Sequence, residues 1–259
     1  MVNLDGDRCV DVGALQRMVS DVSLGGVSLA GNERLLDIGC GDGSVTLQLA
    51  TRLSSGSAVG VDISSGEIDK ALARASGDAP AVQFRVADAL DLPFDSEFDI
   101  AVAFSLLEWI EDKRAALGQM ARSLDTGGRV YVQMAVPTDR PNLEAVTVDV
   151  ARRWRYRETF YDFETPYFQV QPREFIDLTA PVGFVVSKVE VNDLEWQFDS
   201  DSDFRQWFQR SMSMWIELLK EGMVDDFVDE VMARYRLVVG EPRLLKFRHL
   251  GAWLTLSDR

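Results

Sequence analysis

The 259-residue chain has one histidine and two cysteines, Cys9 and Cys40. Two distant thiols cannot supply a disulfide framework for a chain of this size, and Cys40 lies in a glycine loop where a cross-link would be awkward, so both read as free thiols. No metal-ligand spacing exists, and no metal is expected. Positive charge is also scarce: 27 Lys and Arg stand against 42 Asp and Glu, a formal net charge of -15. That balance argues against broad phosphate-neutralising contact with nucleic acid and against binding to anionic membrane surfaces. No apolar run approaches the roughly 18 residues of a membrane span, and the start MVNLDGDRCVD lacks an apolar signal core, so a cytoplasmic location is expected. What is present is ordinary globular composition, 46% hydrophobic and 27% charged, enough to bury a core. The length favours one large domain with elaborations.

Residues 34–38 (RLLDI) form a short apolar run that ends at the loop GCGDG, after which SVTLQLATRL repeats apolar residues at helical spacing. SAVGVDI reads as a second strand, and SSGEIDKALARAS as a helix with Ser64 and Glu67 in capping-box relation. The pattern continues through AVQFRVADA, FDIAVAFSLLEWI, DKRAALGQMARSL and RVYVQMAV. Alternation of this kind predicts a doubly wound, mostly parallel α/β sheet with helices on both faces. After Pro137 the rhythm breaks. Residues 138–172 and 198–242 read as insertions, the first with a helical stretch over 152–157 and the second with helices over FRQWFQRSMSMWIELL and DDFVDEVMARYRLVV. A strand at GFVVSKVEVNDLEW and a last, antiparallel strand at LLKFRHLGAWLTL complete a core of about 30–136, 173–197 and 243–259. The insertions and residues 1–29 are expected together as a cap over the carboxyl ends of the strands, where open α/β sheets bind ligands.

The loop LDIGCGDG has the spacing G-x-G-x-G followed by Ser44, not the G-x-G-x-x-G of dinucleotide folds, and Asp42 within it would repel a pyrophosphate. A ligand without phosphates, carrying positive charge, suits it better. Asp62 ends the second strand, where a carboxylate can accept two hydrogen bonds from a ribose diol, and Asp88 gives a third acidic point on the same rim.

With LLDIGCGDG, VDIS, VADA, FDIAVAFSLLEWIED and LDTGGRVYV in this order, the sequence resembles the class I S-adenosylmethionine-dependent methyltransferases over residues 30–136. The resemblance implies a seven-stranded Rossmann-like methyltransferase sheet and S-adenosylmethionine as cofactor. It places the backbone of Gly39, Gly41 and Gly43 at the methionyl part and gives Asp37 to the loop and amino group. Asp62 falls to the ribose, Asp88 and Ala89 to the adenine edge, Ile63 to its face, and Phe104 and Ser105 to the surroundings of the sulfonium. A small organic acceptor is implied, similar to those of trans-aconitate and juvenile hormone acid methyltransferases.

Those relatives often carry His or Gln before the tryptophan that here is Trp109; this chain has Glu108 instead, a candidate base, cation partner or simple helix-terminal charge. His249 reads as a buried, satisfied core residue. Arg152 and Arg155 are candidates for an anionic substrate, weighed against a solvated face paired with nearby acids. Trp109, Tyr161, Trp207 and Trp215 are candidate acceptor contacts. Oxygen is the favoured acceptor atom, carboxylate ahead of hydroxyl. The alternatives are N-methylation, or a cofactor-binding protein of this fold that catalyses a cyclisation or only regulates. An NAD-dependent oxidoreductase fits least well.

Overall fold

Seven strands pair into one sheet in the computed structural model, which describes residues 15, 19, 21–22, 24–75, 81–139, 141–165 and 167–257. The strands are β1 (Arg34–Ile38), β2 (Ser57–Asp62), β3 (Val82–Val86), β4 (Phe98–Phe104), β5 (Leu124–Ala135), β6 (Phe184–Gln197) and β7 (Leu244–Leu256), in the order β3-β2-β1-β4-β5-β7-β6. β2, β1, β4 and β5 pair in parallel with their neighbours, as β3 does with β2, whereas β7 runs antiparallel to β5. Strand order reverses between β1 and β4, and the crevice at such a switch point is where doubly wound sheets bind ligands.

Both faces of the central strands are buried, which explains why their sequences are nearly continuous apolar runs. Leu36 and Ile38 of β1 join Ala101, Val132, Leu250 and Leu117 on one side, while Leu35 joins Leu49, Val102 and Tyr131 on the other. Each fully buried Leu or Phe contributes about 1.5 to 3 kcal/mol relative to exposure.

The flanking helices start where the sequence supplies caps. α1 (Ser44–Ala50) follows Gly43, and α2 (Ser65–Arg74) begins with the Ser64 hydroxyl accepting the Glu67 N–H at 3.3 Å. The expected reciprocal half of that capping box is replaced by an ion pair, for the Glu67 carboxylate turns to Lys70. α3 (Lys113–Ser123) is capped by Asp112. α4 (Leu143–Ala151) is capped by Asn142, and α5 (Pro172–Thr179) carries a complete capping box between Gln171 and Glu174. α6 (Asp201–Ser211), α7 (Ser213–Ile216) and α8 (Val224–Val239) follow.

The chain divides into two compact units. One comprises Ser20–Pro137, Thr165–Asp193 and Arg248–Arg259, and the other Met1–Val19, Thr138–Glu164 and Leu194–Phe247. The first is the α/β unit. The second, helical unit is held by aromatic packing of Tyr156 and Phe160 on Phe227, and of Phe160 and Phe163 on Trp215. Two sequence expectations are corrected there. α4 ends at Ala151, so Arg152–Arg157 lie in turns, and the helix expected across 204–219 breaks at Met212 into α6 and α7. Cys9 and most of the expected N-terminal cap segment lie outside the described residues; Cys40 is a buried free thiol.

Candidate active site

The Val61 carbonyl accepts the N–H groups of both Gly39 and Cys40, at 2.8 and 3.0 Å, and so draws the glycine loop against the end of β2. The three loop glycines meet different demands. Gly39 has φ +74° and a Cβ there would lie 2.8 Å from the Leu106 side chain; Gly43 has φ +73° and its Cβ would meet Phe84 and Ala71 below 3 Å. Gly41 has φ +53° with nothing within 4 Å of a built Cβ, so backbone conformation requires glycine while the space beside it stays open to a ligand.

Beneath this loop, Asp37 is fully buried. Its Oδ2 accepts the Thr46 hydroxyl at 2.6 Å, and its Oδ1 has no hydrogen-bond partner among the described residues. An orphaned buried acceptor costs about 1 to 3 kcal/mol, which a donor arriving from outside can recover. Burial pushes this carboxyl up to about 7, against the Thr46 hydrogen bond and with help from the charge of Asp62. An ammonium group is the partner that answers both the missing bond and the unfavourable charge.

Asp62 braces the loop as well as facing its opening: Oδ2 accepts the Gly41 N–H at 3.0 Å and Oδ1 the Ser64 N–H at 2.9 Å. Each carboxylate oxygen has a second lone-pair direction, so a diol can still be accepted. Asp42 is paired with Arg74, which places a cation where the sequence showed only a loop carboxylate.

The glycine loop opens onto a cleft of about 830 Å³. Gly39 borders it from the loop, Asp62 and Ile63 from the end of β2, Asp88 and Ala89 from beyond β3, and Trp109 from beyond β4. Ile63 is 70% exposed, a large apolar side chain left bare where a planar ring could cover it. The Asp88 Oδ1 accepts the Leu90 N–H at 2.9 Å and fixes that rim. Phe104 ends β4 with its ring 5.9 Å from that of Tyr131, and Ser105 follows with φ +49°, a turn that ends the strand abruptly. Neither of these two lines the cleft.

Glu108 lies in a single 3-10 turn, Leu107–Trp109, and is 4% exposed. Its Oε1 accepts the Ala135 N–H at 3.2 Å, and its own carbonyl accepts the Phe168 N–H at 2.7 Å, so it ties the post-β4 turn to β5 and to the segment before α5. Lys113 is buried nearby; its Nζ donates to the Ile110 carbonyl at 2.7 Å and stands 5.9 Å from the Phe168 ring centroid. Desolvation lowers the Lys113 pKa, against the attraction of Glu108 and Glu111. Trp109 packs on Tyr167 with ring centroids 4.5 Å apart.

The remaining candidates belong to the helical unit. Arg152 is exposed and closes α4, and Arg155 pairs with Asp226 of α8. Arg153, beside them, pairs with Glu230, so one of the two candidate arginines and its neighbour are engaged by acids of α8. Tyr161 is 85% exposed, Trp207 packs on Phe198 and Phe204, and Trp215 is buried against Phe163 with no hydrogen-bond partner for Nε1 among the described residues.

Sequence reasoning did not single out Thr46, Arg74, Lys113 or the hydrogen bond from Gln133 to His249. Thr46 alone left a signal: a polar residue on the buried face of the helix that opens just after the loop.

A methyltransferase-domain family model matches residues 35–128. O-methyltransferase cnsE of Penicillium expansum is 35% identical over 171 residues, 65% of this chain and 57% of that one. O-methyltransferase resE of Aspergillus sclerotiorum is 34% identical over 181 residues, 67% and 62% respectively. The chain thus spans less than two thirds of either fungal protein. Among solved structures, the YcgJ protein of Bacillus subtilis superposes with a TM-score of 0.69 over 94% of this chain and 100% of that one at 17% identity, a likeness of fold. Motif order, strand order, the bare Gly41 and the orphaned oxygen of Asp37 agree with these matches, and over residues 35–128 the chain carries a methyltransferase domain.

Proposed function

We propose that this chain transfers the methyl group of S-adenosylmethionine to an oxygen of a small organic acceptor. The observation that carries the donor half is the Oδ1 of Asp37 beneath the glycine loop, without a hydrogen-bond partner among the described residues and so an acceptor in want of the cofactor's ammonium group. In this reading the Gly41 backbone borders the methionyl chain, Asp62 receives the ribose hydroxyls, Asp88 and the Ala89 amide meet the adenine edge, and Ile63 covers its face. The bound sulfonium supplies an activated methyl carbon. The protein aligns the incoming oxygen with the carbon–sulfur bond and excludes water, and such orientation supplies on the order of 7 to 11 kcal/mol of barrier reduction.

Oxygen as the acceptor atom is supported by the names of the two fungal relatives. A hydroxyl now stands ahead of a carboxylate, because Arg153 and Arg155 are engaged by acids of α8 and offer less to an anionic substrate. The helical unit, with its aromatic side chains, is proposed as the cap of the acceptor side. Hydrogen exchange with and without cofactor and acceptor tests that role; protection unchanged throughout Thr138–Glu164 and Leu194–Phe247 would reject it.

Labelled-methyl transfer to a mixed panel of phenols, carboxylic acids and amines tests the reaction. The expected result is a methyl ether or ester. Transfer to amines alone would replace the oxygen reading with N-methylation, and a panel converted without label incorporation would mean a cyclisation or rearrangement on this fold.

A further inference from the structure

Asp62, Asp88, Glu111 and Asp112 all line the cleft, and no Lys, Arg or His does so among the described residues. Three of these carboxylates are engaged by backbone amides. Asp62 accepts the Gly41 and Ser64 N–H groups, Asp88 that of Leu90, and Asp112 that of Ala115 at the start of α3. Amide hydrogen bonds hold a carboxylate in place without cancelling its charge. Glu111 stands apart: its side chain is exposed, and its carboxylate makes no hydrogen bond or ion pair among the described residues. Lys113, the nearest cation in sequence, is buried with its Nζ on the Ile110 carbonyl at 2.7 Å, and its attraction is divided between Glu108 and Glu111. It offsets part of one carboxylate and leaves the cleft negative.

The cleft itself rests on other marks, the left-handed glycine loop, the bare Ile63 and the buried Oδ1 of Asp37. The acids matter for what they do to its occupant. Methyl transfer changes the charge of the cofactor: the bond between methyl carbon and sulfur breaks with its electron pair left on sulfur, an oxygen lone pair of the acceptor forms the new bond, and the hydroxyl proton leaves for solvent. S-adenosylmethionine, with a sulfonium, an ammonium and a carboxylate, thus carries one net positive charge, and S-adenosylhomocysteine carries none. Both forms have the ammonium group that Asp37 would meet, so Asp37 cannot tell them apart. Carboxylates around the cleft can, because only the sulfonium gains from their field. Across water, one unit charge about 10 Å away changes an affinity by about twofold.

We propose that Glu111 is a specificity-determining residue of the donor site, selecting the sulfonium form of the cofactor over its demethylated product through charge rather than through a hydrogen bond. Asp62 and Asp88 have contacts assigned to them above and Asp112 caps α3, whereas the Glu111 carboxylate holds no backbone amide, so its substitution reads the field alone. The inference rests on the donor reading above and deepens it. Its consequence for the reaction is that the spent cofactor is held less firmly than the fresh one, which favours their exchange after each transfer.

Calorimetric titration of S-adenosylmethionine and of S-adenosylhomocysteine into the full chain near pH 7.5, in about 20 mM and about 0.5 M salt, tests this; the Debye length falls from roughly 20 Å to roughly 4 Å between the two. At low salt, Glu111→Gln should lower the ratio of the affinity for S-adenosylmethionine to that for S-adenosylhomocysteine by about twofold and Glu111→Lys by about fourfold, with the affinity for S-adenosylhomocysteine nearly level. In high salt the wild-type ratio should fall and the three proteins should converge. The wild-type salt series needs no variant to fold. A ratio equal in all three proteins at low salt, a loss shared equally by both ligands, or a wild-type ratio indifferent to salt would overturn the charge selection while leaving the donor site standing. Binding of neither ligand to the wild type would overturn the donor reading, and the selection with it.

Discussion

Asp37 holds a proton that the cofactor should displace. With its carboxyl pushed up to about 7, roughly half of the free protein carries Asp37 protonated at neutral pH. An ammonium partner favours the ionised form, so binding of S-adenosylhomocysteine should release protons near pH 7 and weaken by up to tenfold per unit as pH falls from 7 towards 6. Asp37→Asn should remove that pH dependence and bind more weakly by about 1.5 to 3 kcal/mol, roughly ten- to hundredfold, as when a charged hydrogen bond is lost. Calorimetry in buffers of differing ionisation enthalpy reads both effects. Affinity in the wild type that is level between pH 6 and 7.5 would mean that no ammonium meets this carboxylate.

At the scale of the element, the glycine loop separates two requirements that a sequence motif merges. Gly43→Ala brings a Cβ within 2.6 Å of Phe84 and 2.8 Å of Ala71 while demanding a left-handed φ, so it should lower the melting temperature of the free protein markedly. Gly41→Ala meets no neighbour and should cost only about 1 to 2 kcal/mol of stability, from the left-handed backbone alone. It should nonetheless weaken cofactor binding, because the new methyl group occupies the open side of the loop. Thermal unfolding with and without S-adenosylhomocysteine separates the two; equal stability losses in both variants would contradict this division. The loop itself was legible because RLLDI, the glycines and the helix after them are contiguous, and the strands from β1 to β5 were legible for the same local reason. Glu108 was legible as an unusual residue but not in its contact with the Ala135 amide, which needs β4 and β5 side by side. The partners of the arginine run at 152–157 were not legible for a related reason: α4 stops at Ala151, and the acids that engage Arg153 and Arg155 come from α8, more than 70 residues further on.

For the whole molecule, two buried titratable groups in the α/β unit work against each other. Asp37 binds its proton more tightly folded than unfolded, so its contribution to stability falls as pH rises from about 4 to about 7 and is constant above. His249 binds its proton less tightly folded than unfolded, so its contribution is complete above about pH 6.5 and is lost as pH falls towards 4. Between pH 4.5 and 6.5 the slopes oppose, each approaching about 1.4 kcal/mol per pH unit. Denaturant unfolding of Asp37→Asn should therefore show stability rising with pH across this window, and that of His249→Asn stability falling; slopes unchanged from wild type would show that neither group is shifted by burial. No sequence pattern announces this balance, since Gln133 and His249 are 116 residues apart and meet only when β7 enters beside β5. The division into an α/β unit and a helical unit was partly legible, because the break in strand rhythm after Pro137 lies at the boundary between them.

If the cleft bordered by Gly39, Asp62 and Asp88 binds S-adenosylmethionine, calorimetric titration of S-adenosylhomocysteine into wild type and Asp62→Asn will show it. Asparagine keeps one oxygen for the loop amides but gives up the paired acceptance of a ribose diol. Saturable binding to the wild type, at least tenfold weaker in the folded variant, is the expected result. Equal affinity in the two proteins, or NAD bound by the wild type more tightly than S-adenosylhomocysteine, would contradict it.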